Sequence, residues 1–596
     1  MNLLPKVFKK GDVDEFEPSK IMESIIQETG VDEENARKIT ELVVRRIISS
    51  NMKFLSGPHI REIVCSILSE NQYGQERKLY TRIGMPLMDY EKVLEFDQKN
   101  ELKKIINPEK IHHWAANQLA EEYTLLRILN DEESKAHLFG DLYIHQLKYF
   151  DLRPYIQYWD PRLVLEHGLP PIKNYNNICK SKPAKNLKEA VDQLANWLGM
   201  VQTEFSGNQG LELITIFLAP YIQGLEDKEI KEIMKGFIYS INYISTSSGK
   251  NYLKSSLSCS AGILSPLLDI PAIGPGGIEI EHYDSYKKEC TKLFDIITQI
   301  YIEGDDNNCY FPYPEHLIYY NEEYLNKFKE QYEEICKEAL INQNPRFINI
   351  YRHKILNKMI QTTPNSYLNH GVLQKISLNL PRYAFLSQDE TRFLELLKNN
   401  LDTCFDILNK KYAIIGQRLR TGHLPLCSGY LDKLQLFDLD NQELCIGFIG
   451  LNEAVKILTN FELHETDAAL LLGEKIVKKL HEHCEERSKN EGKHYSLINA
   501  TSKRAIKRFL GLDLKHFPKL AIKNYQKSSH FRPLNNLNLN DKIRKQGRFH
   551  PRIINNAQVE ISLKNHEENL QSKEDLMRTL NYSCTNTEIV SLKYLP

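Results

Sequence analysis

Four basic side chains near the N-terminus have the types and spacing to hold a phosphate chain. Lys9 and Lys10 precede Gly11 in Val7-Phe8-Lys9-Lys10-Gly11-Asp12, Lys20 follows eleven residues after Lys9, and Arg82 closes Tyr80-Thr81-Arg82. Ammonium and guanidinium groups pair with phosphate oxygens, and a glycine lets its backbone approach a ligand closely. The plainer reading is a helical appendage with solvated lysines. A second stretch with chemical promise runs from Pro345 to Arg382. The strand-like Arg346–Ile350 leads into a polar excursion with Thr362, Thr363, Pro364, Asn365, Ser366, Asn369, His370 and Gly371. A second strand, Leu373 to Leu380, then ends at Pro381-Arg382. Strand, long loop, strand is the outline of a finger, and long loops inside compact domains are usually functional.

Thiol and metal chemistry are less well served. The 11 cysteines stand singly with no C-x-x-C pair, which argues against a zinc knuckle or a redox dithiol and for reduced thiols. None lies between Cys336 and Cys404, so the finger carries no thiol. Cys259, in Ser258-Cys259-Ser260-Ala261-Gly262, is the best placed for reactivity, although a buried free cysteine is more often plain core. Cys427 is weaker. His137 and His145 invite a metal reading, but isolated histidines in a strand more often satisfy local hydrogen bonds.

A chain of 596 residues supports more than one domain, and 41% hydrophobic with 26% charged residues is an ordinary globular balance. The net charge of -1 gives no ground for a general polyanion binder or for direct nucleic-acid contact, so any phosphate ligand must meet a local basic patch. The N-terminus becomes charged at Lys6, too early for a secretory signal, and the apolar run Leu211 to Ile222 is too short to cross a bilayer. A cytoplasmic protein without a membrane segment is expected.

The elements that must position these residues follow from periodicity. Val7 onward and Val13 to Phe16 read as a hairpin, and a helix opens at Ser19-Lys20 with Ile21, Ile25 and Ile26 on one face. A second helix spans Glu33 to Ser50, with Ile39, Val43, Val44, Ile47 and Ile48 inward. A third runs from Ile60 to Ser69 and a fourth from Gln75 to Met85. Charged residues 94–112 form a linker or bridging helix, and strand and helix patterns alternate from His113 onward.

The hairpin and bundle resemble the ATP-cone, the nucleotide-sensing domain of ribonucleotide reductases and of their transcriptional repressor. The match rests on V-x-K-K-G, on the Phe16 to Lys20 spacing and on Tyr80-Thr81-Arg82, with Lys10 where arginine is commoner. The rest resembles anaerobic ribonucleotide reductases of the archaeal type. Gly140-Asp141-Leu142-Tyr143-Ile144-His145, Arg153-Pro154 and Trp159-Asp160-Pro161-Arg162 are similar to a family signature, with Gln146 in place of an aspartate and Ile156 where many relatives carry cysteine. Gln202-Thr203-Glu204-Phe205-Ser206-Gly207-Asn208-Gln209-Gly210, Phe217 to Tyr221, Pro271 to Gly277 and Ser377-Leu378-Asn379-Leu380-Pro381-Arg382 continue it in order. Ile446 to Glu453 and Gly547-Arg548-Phe549-His550 complete the series.

The resemblance implies an ATP-cone over residues 1–93, a linker over 94–112 and, over 113–596, a ten-stranded α/β barrel of two antiparallel halves threaded by a finger. It places ATP or dATP, as allosteric effectors, on Val7, Lys9, Lys10, Gly11, Lys20, Tyr80 and Arg82. The implied partners are ribonucleoside triphosphates, an active reductase subunit or radical-activating enzyme, and a second copy of the chain. The family reduces the ribose with a finger cysteine, a C-terminal radical glycine and a four-cysteine zinc site. This sequence has no finger cysteine, no glycine after Gly547 and only Cys584 near its end. The expectation is therefore a reductase-like, nucleotide-binding chain with no catalytic residue, no metal ligand and no glycyl radical of its own. The alternatives are a reductase subunit completed by a separate radical and zinc polypeptide, and a nucleotide-sensing regulator.

Overall fold

The computed structural model describes residues 6–9, 12–50, 54–80, 86–94, 108–172, 179–244, 253–342, 344–387, 389–431, 434–517, 522–532, 537–554, 557–563 and 572–595. They form two compact units. The first comprises Met1–Asp141, Leu147–Phe150 and Leu514–His516, and the second Leu142–Gln146, Asp151–Asp513 and Phe517–Pro596. Among the described residues no helix is long and apolar enough to cross a membrane.

In the first unit β1 (Lys6–Lys9) pairs antiparallel with β2 (Asp12–Asp14) and parallel with β3 (Phe54–Ser56), a strand the periodicity does not announce. Helices Pro18–Thr29, Glu33–Ser49 and Gly57–Glu70 pack around Ile21, Ile25, Ile39, Val43, Ile47, Val64 and Ile67. Their ends are set locally. Gly30 takes a left-handed φ of 73° to close the first helix, and Asp32 caps the second through the Asn35 N–H. Ile48, expected inward, is 43% exposed because it sits one step round the helix from Ile47. The fourth helix runs over Gly74–Leu79, Tyr80 follows it in a turn, and residues 81–85 of the expected span lie outside the described residues.

The second unit is built on one mixed sheet. Its strands are β4 (Leu142–Ile144), β5 (Ile156–Trp159), β6 (Gln209–Leu211) and β7 (Ser255–Ser260). A separate hairpin, β8 (Pro271–Gly274) and β9 (Ile278–His282), precedes β10 (Glu315–Tyr320), β11 (Arg346–Asn349) and β12 (His370–Asn379). After the small pair β13 (Tyr430–Leu431) and β14 (Leu434–Gln435) come β15 (Gln442–Ile449), β16 (His494–Asn499), β17 (Gln558–Ser562) and β18 (Ser591–Leu595). The sheet order is β16-β15-β12-β5-β6-β7-β10-β11-β18-β17, with β4 also beside β12. Strands β5, β6, β7, β10 and β11 are mutually parallel, as helical crossovers require. The pairs β5–β12 and β11–β18 are antiparallel, so two blocks of opposite direction meet there. Near the two ends of this order, the Ile554 N–H donates to the Leu497 carbonyl at 2.9 Å.

Candidate functional site

Side chains alternate across a strand, so register decides which residues meet. His370, Tyr158, Gly210, Ser256 and Glu315 stand side by side on five neighbouring strands. Two residues further along β10, on the same face, Leu317 begins a row that continues through Arg346, Lys593 and Glu560. Lys375, Cys445 and Ser496 form a matching row on β12, β15 and β16. The opposite face is apolar, with Trp159, Leu211, Leu257, Ile318, Phe347 and Leu592 all buried. One face of the sheet is therefore core, and the other is a polar surface inside the unit.

That polar face is internally paired. The Glu212 carboxylate accepts the Ser258 hydroxyl at 2.5 Å and the Tyr319 hydroxyl at 2.8 Å, with His370 Nε2 at 3.8 Å. The His370 ring stacks on Tyr158 at 5.0 Å, and His353 lies 6.0 Å from His370. Burial, reinforced by His370 and Arg346, holds His353 down to about 3, so it is neutral at physiological pH. Lys593 binds Glu315 at 2.7 Å, and Lys527 binds Glu560 at 2.6 Å. Gly210 has a specific reason here: a Cβ would stand 2.4 Å from the Tyr158 ring, which crosses over it. The space beside that glycine is filled by an aromatic side chain of the same chain.

The stretch Pro345–Arg382 is pinned at both ends. Arg352 donates to the carbonyls of Ser583, Cys584 and Ile589, at 2.8 to 3.2 Å. At the other end the buried Asp160–Arg162 pair, 2.6 Å apart, grips the backbone. Arg162 donates to the Pro364 and Ser366 carbonyls at 3.2 and 2.9 Å, and Asp160 accepts the Leu368 N–H at 2.9 Å. The polar excursion is more ordered than its composition suggests. Helix Lys354–Thr362 fills much of it, capped by His353 and burying Leu356 and Ile360. Thr362, Thr363, Asn365 and Ser366 at its end are exposed. That helix packs beside the Ser265–Leu267 turn, and Lys354 reaches the Pro551 carbonyl. From this stretch Arg346, His353, His370 and Lys375 meet the polar face, while the exposed residues at the end of the helix do not.

Cys259 faces away from this site. It pairs with Ile318 on the apolar side of β7 and is fully buried, and burial pushes its thiol well above the usual range. The cysteine on the polar face is Cys445, with Sγ 3.5 Å from Ser496 Oγ, and burial pushes it up to about 12. It is a protonated thiol at neutral pH, a hydrogen donor rather than a thiolate. Beside it, burial lowers Lys375 to about 8 and raises Glu443 to about 7. No motif in the sequence marks Cys445, Glu212, Arg346 or Glu315 as site residues; their one signal is a period of two in polar residues, as in Ser256, Ser258 and Ser260.

Glu443 yields a pH prediction. Its folded carboxyl holds a proton more tightly than the 4.5 of an ordinary glutamate. Stability is therefore fully present below that value and falls as pH rises through 7, by about 3 kcal/mol when ionisation is complete. Glu443→Gln should flatten urea-unfolding stability between about pH 5 and 8; an unchanged slope would sink this assignment.

His145 Nε2 lies 2.8 Å from Ser377 Oγ, just past β4, while His137 stands on helix Asp131–Phe139 rather than on a strand. Among the described residues no group of three or more His, Cys, Asp or Glu could hold a metal ion. Cys584 is placed on helix Lys573–Asn586, where its Sγ accepts from Asn349 Nδ2 at 3.6 Å.

Of the seven residues read from the sequence as a phosphate site, Val7 is half-buried on β1 against the first unit's core, and Lys9 ends that strand opposite Asp12. Lys20 is exposed and pairs with Glu17 at 2.9 Å. Tyr80 is 3% exposed, its hydroxyl 2.9 Å from Ser24 Oγ and its ring 4.0 Å beneath the Arg61 guanidinium. Lys10, Gly11 and Arg82 lie outside the described residues.

The fold and the sequence both have relatives. Crystal structures of the anaerobic ribonucleotide reductase from Thermotoga maritima are similar at 18% identity. The one in complex with dATP and CTP has a TM-score of 0.68, over 85% of this chain and 87% of that one. The one with dATP bound in the specificity site has a TM-score of 0.66 over the same shares. A further structure described as an anaerobic ribonucleotide reductase gives 0.70 at 18% identity, over 85% of this chain and 84% of that one. A comparison with curated proteins finds no match. The sequence profile described as "Anaerobic ribonucleoside-triphosphate reductase" matches residues 99–591. With that match spanning most of its length, the chain belongs to the anaerobic ribonucleoside-triphosphate reductase family.

Proposed function

We propose that this chain is a nucleotide-binding member of the reductase family that does not by itself carry out radical ribonucleotide reduction. The observation that carries the reading is the finger: no cysteine lies between Cys336 and Cys404, and the tip residues Thr362, Asn365 and Ser366 are exposed. Hydrogen abstraction from a ribose carbon is beyond acid–base side chains, and a family member needs a thiol at the sugar to do it. On this reading the mixed sheet is the family's ten-stranded barrel, supported by its two blocks of opposite direction and by the Ile554–Leu497 hydrogen bond.

Residues 1–93 act as an ATP-cone of the archaeal-type reductases, with ATP or dATP held by Val7, Lys9, Lys10, Gly11, Lys20, Tyr80 and Arg82. Ribonucleoside triphosphates and an active reductase subunit are the partners this implies, in the cytoplasm and as a dimer.

Purified protein should bind ATP or dATP yet show no glycyl-radical doublet in electron paramagnetic resonance after exposure to a radical-activating enzyme. A doublet in this chain would overturn the non-catalytic reading. Lys20→Ala and Arg82→Ala should each weaken ATP about tenfold, as loss of a charge-assisted phosphate contact does; unchanged affinity in both would remove the cone site. One observation favours a second reading, a subunit completed by a separate glycyl-radical polypeptide. Cys445 is a protonated thiol on the polar face. Reductase activity in the presence of such a polypeptide, abolished by Cys445→Ser, would establish it.

A further inference from the structure

The hairpin β8–β9 stands apart from the main sheet, and among the described residues β9 pairs with β8 alone. Its outer edge therefore presents backbone N–H and C=O groups that no described strand covers. Four of its five residues, Ile278, Glu279, Glu281 and His282, are exposed. Proline and lysine are common guards of such an edge, and β9 has neither. The hairpin is also held in place. The Tyr221 hydroxyl donates to the Gly274 carbonyl at 2.9 Å, the Gly276 N–H to the Ala184 carbonyl at 2.7 Å, and the Tyr283 N–H to the Ile270 carbonyl at 3.1 Å. A strand docking here meets a template that is already ordered.

Beside this edge lies a hollow of about 570 Å³. Pro275 and Ile280 of the hairpin line it together with Pro220, Leu225 and Ile233. A register shift interrupts the β8–β9 pair between Pro271 and Ile273, and Ile280 leans over Gly274, where a Cβ would stand 2.6 Å from its Cδ1. Strand edge and apolar hollow are continuous through Ile280.

Charge selects the occupant. Glu279 and Glu281 on β9, and Glu229 and Glu232 in the lining of the hollow, are exposed, and none forms an ion pair among the described residues. Of the two lysines in that lining, Lys188 is taken by Asp192 at 2.7 Å and Lys185 is left. Like charges opposed across a strand pair destabilise it, and opposite charges stabilise it. An acidic strand, a second copy of β9 included, is repelled here. A strand that alternates basic and apolar residues turns the first toward the glutamates and the second toward the hollow.

We propose that the edge of β9 takes up an extended basic segment of a partner protein as an added strand, with basic side chains on Glu279 and Glu281 and an apolar side chain in the hollow. Main-chain hydrogen bonds supply the affinity of such strand addition, and alternate side chains supply its specificity. The site is independent of whether the chain binds nucleotide or carries out reduction.

Fluorescence anisotropy with the intact protein at low salt tests it, using the labelled, end-blocked peptide Lys-Val-Lys-Ile-Lys-Val as the probe. The peptide should bind, and added salt should weaken it. Methylating one alternating set of its backbone nitrogens should cost at least about tenfold in affinity and methylating the other set little, although every charge is kept. The double variant Glu279→Lys, Glu281→Lys, changed only at exposed positions, should lose at least about tenfold for this peptide and gain affinity for Glu-Val-Glu-Ile-Glu-Val. Ile233→Ser, which alters the apolar lining of the hollow, should weaken the basic peptide several-fold. No binding, affinity insensitive to both methylated sets, or affinity insensitive to either protein variant overturns the proposal. So does a dimer of this chain that the peptide dissociates, since the edge would then belong to a second copy.

Discussion

Arg162→Leu should lower stability by about 3–5 kcal/mol, the usual result of leaving one partner of a buried ion pair uncompensated. Asp160 is wholly buried and Arg162 nearly so. Removing the guanidinium strands the carboxylate and leaves the carbonyls of Pro364 and Ser366 without their donor. The local effect is more telling than the global one. This pair holds the backbone at Pro364, Ser366 and Leu368, so amide exchange at Leu368 should accelerate more than exchange in β12 beyond Val372. Arg162→Lys should fall between parent and leucine variant, since an ammonium cannot reproduce the guanidinium fork that binds Asp160 and two carbonyls together. Denaturant unfolding with residue-resolved hydrogen exchange measures both effects. A leucine variant as stable as the parent, with Leu368 still protected, would remove the pinning role.

At the other end of the same strand, Asp513→Leu should be comparably damaging, at about 3–5 kcal/mol. Asp513 is 0% exposed and accepts from Asn379 at 2.8 Å, from Arg382 at 2.7 Å and from the Tyr525 hydroxyl at 2.9 Å. Leucine would leave the buried Arg382 without this counter-charge. Asp513→Asn keeps one acceptor oxygen, so its loss should be smaller. Adding Arg382→Met to Asp513→Leu should recover stability, because a buried pair replaced as a whole by apolar side chains is often neutral. A double variant as unstable as the sum of its parts would show that these side chains do not act as a pair. Together, Asp160–Arg162 and Arg382–Asp513 fix the return strand of the finger at its start and its finish.

Much of this was readable as letters. Trp159-Asp160-Pro161-Arg162 and Ser377-Leu378-Asn379-Leu380-Pro381-Arg382 stand out in the sequence, and their order carried the family resemblance. What they do was not readable, because the contacts are remote: Arg162 binds a carbonyl 204 residues away, and Arg382 a carboxylate 131 residues away. The helices of the first unit were legible for the opposite reason. Their caps, at Asp32 and Ser56, and their apolar spacing act within one or two turns. The short β3 escaped because its parallel partner β1 lies more than 40 residues earlier.

The cysteines show the division most plainly. The sequence by itself determined that the finger has no thiol, and composition cannot be overruled by folding. Which remaining cysteine faces the polar surface was decided only by tertiary register. Cys259 and Cys445 both sit in strands where small or polar residues alternate with apolar ones, and a one-residue step reverses the face. Hydrogen bonding between strands distant in sequence turned Cys259 toward the apolar core and Cys445 toward Lys375 and Ser496. Local sequence sets the period of that alternation; only pairing across the sheet sets its phase.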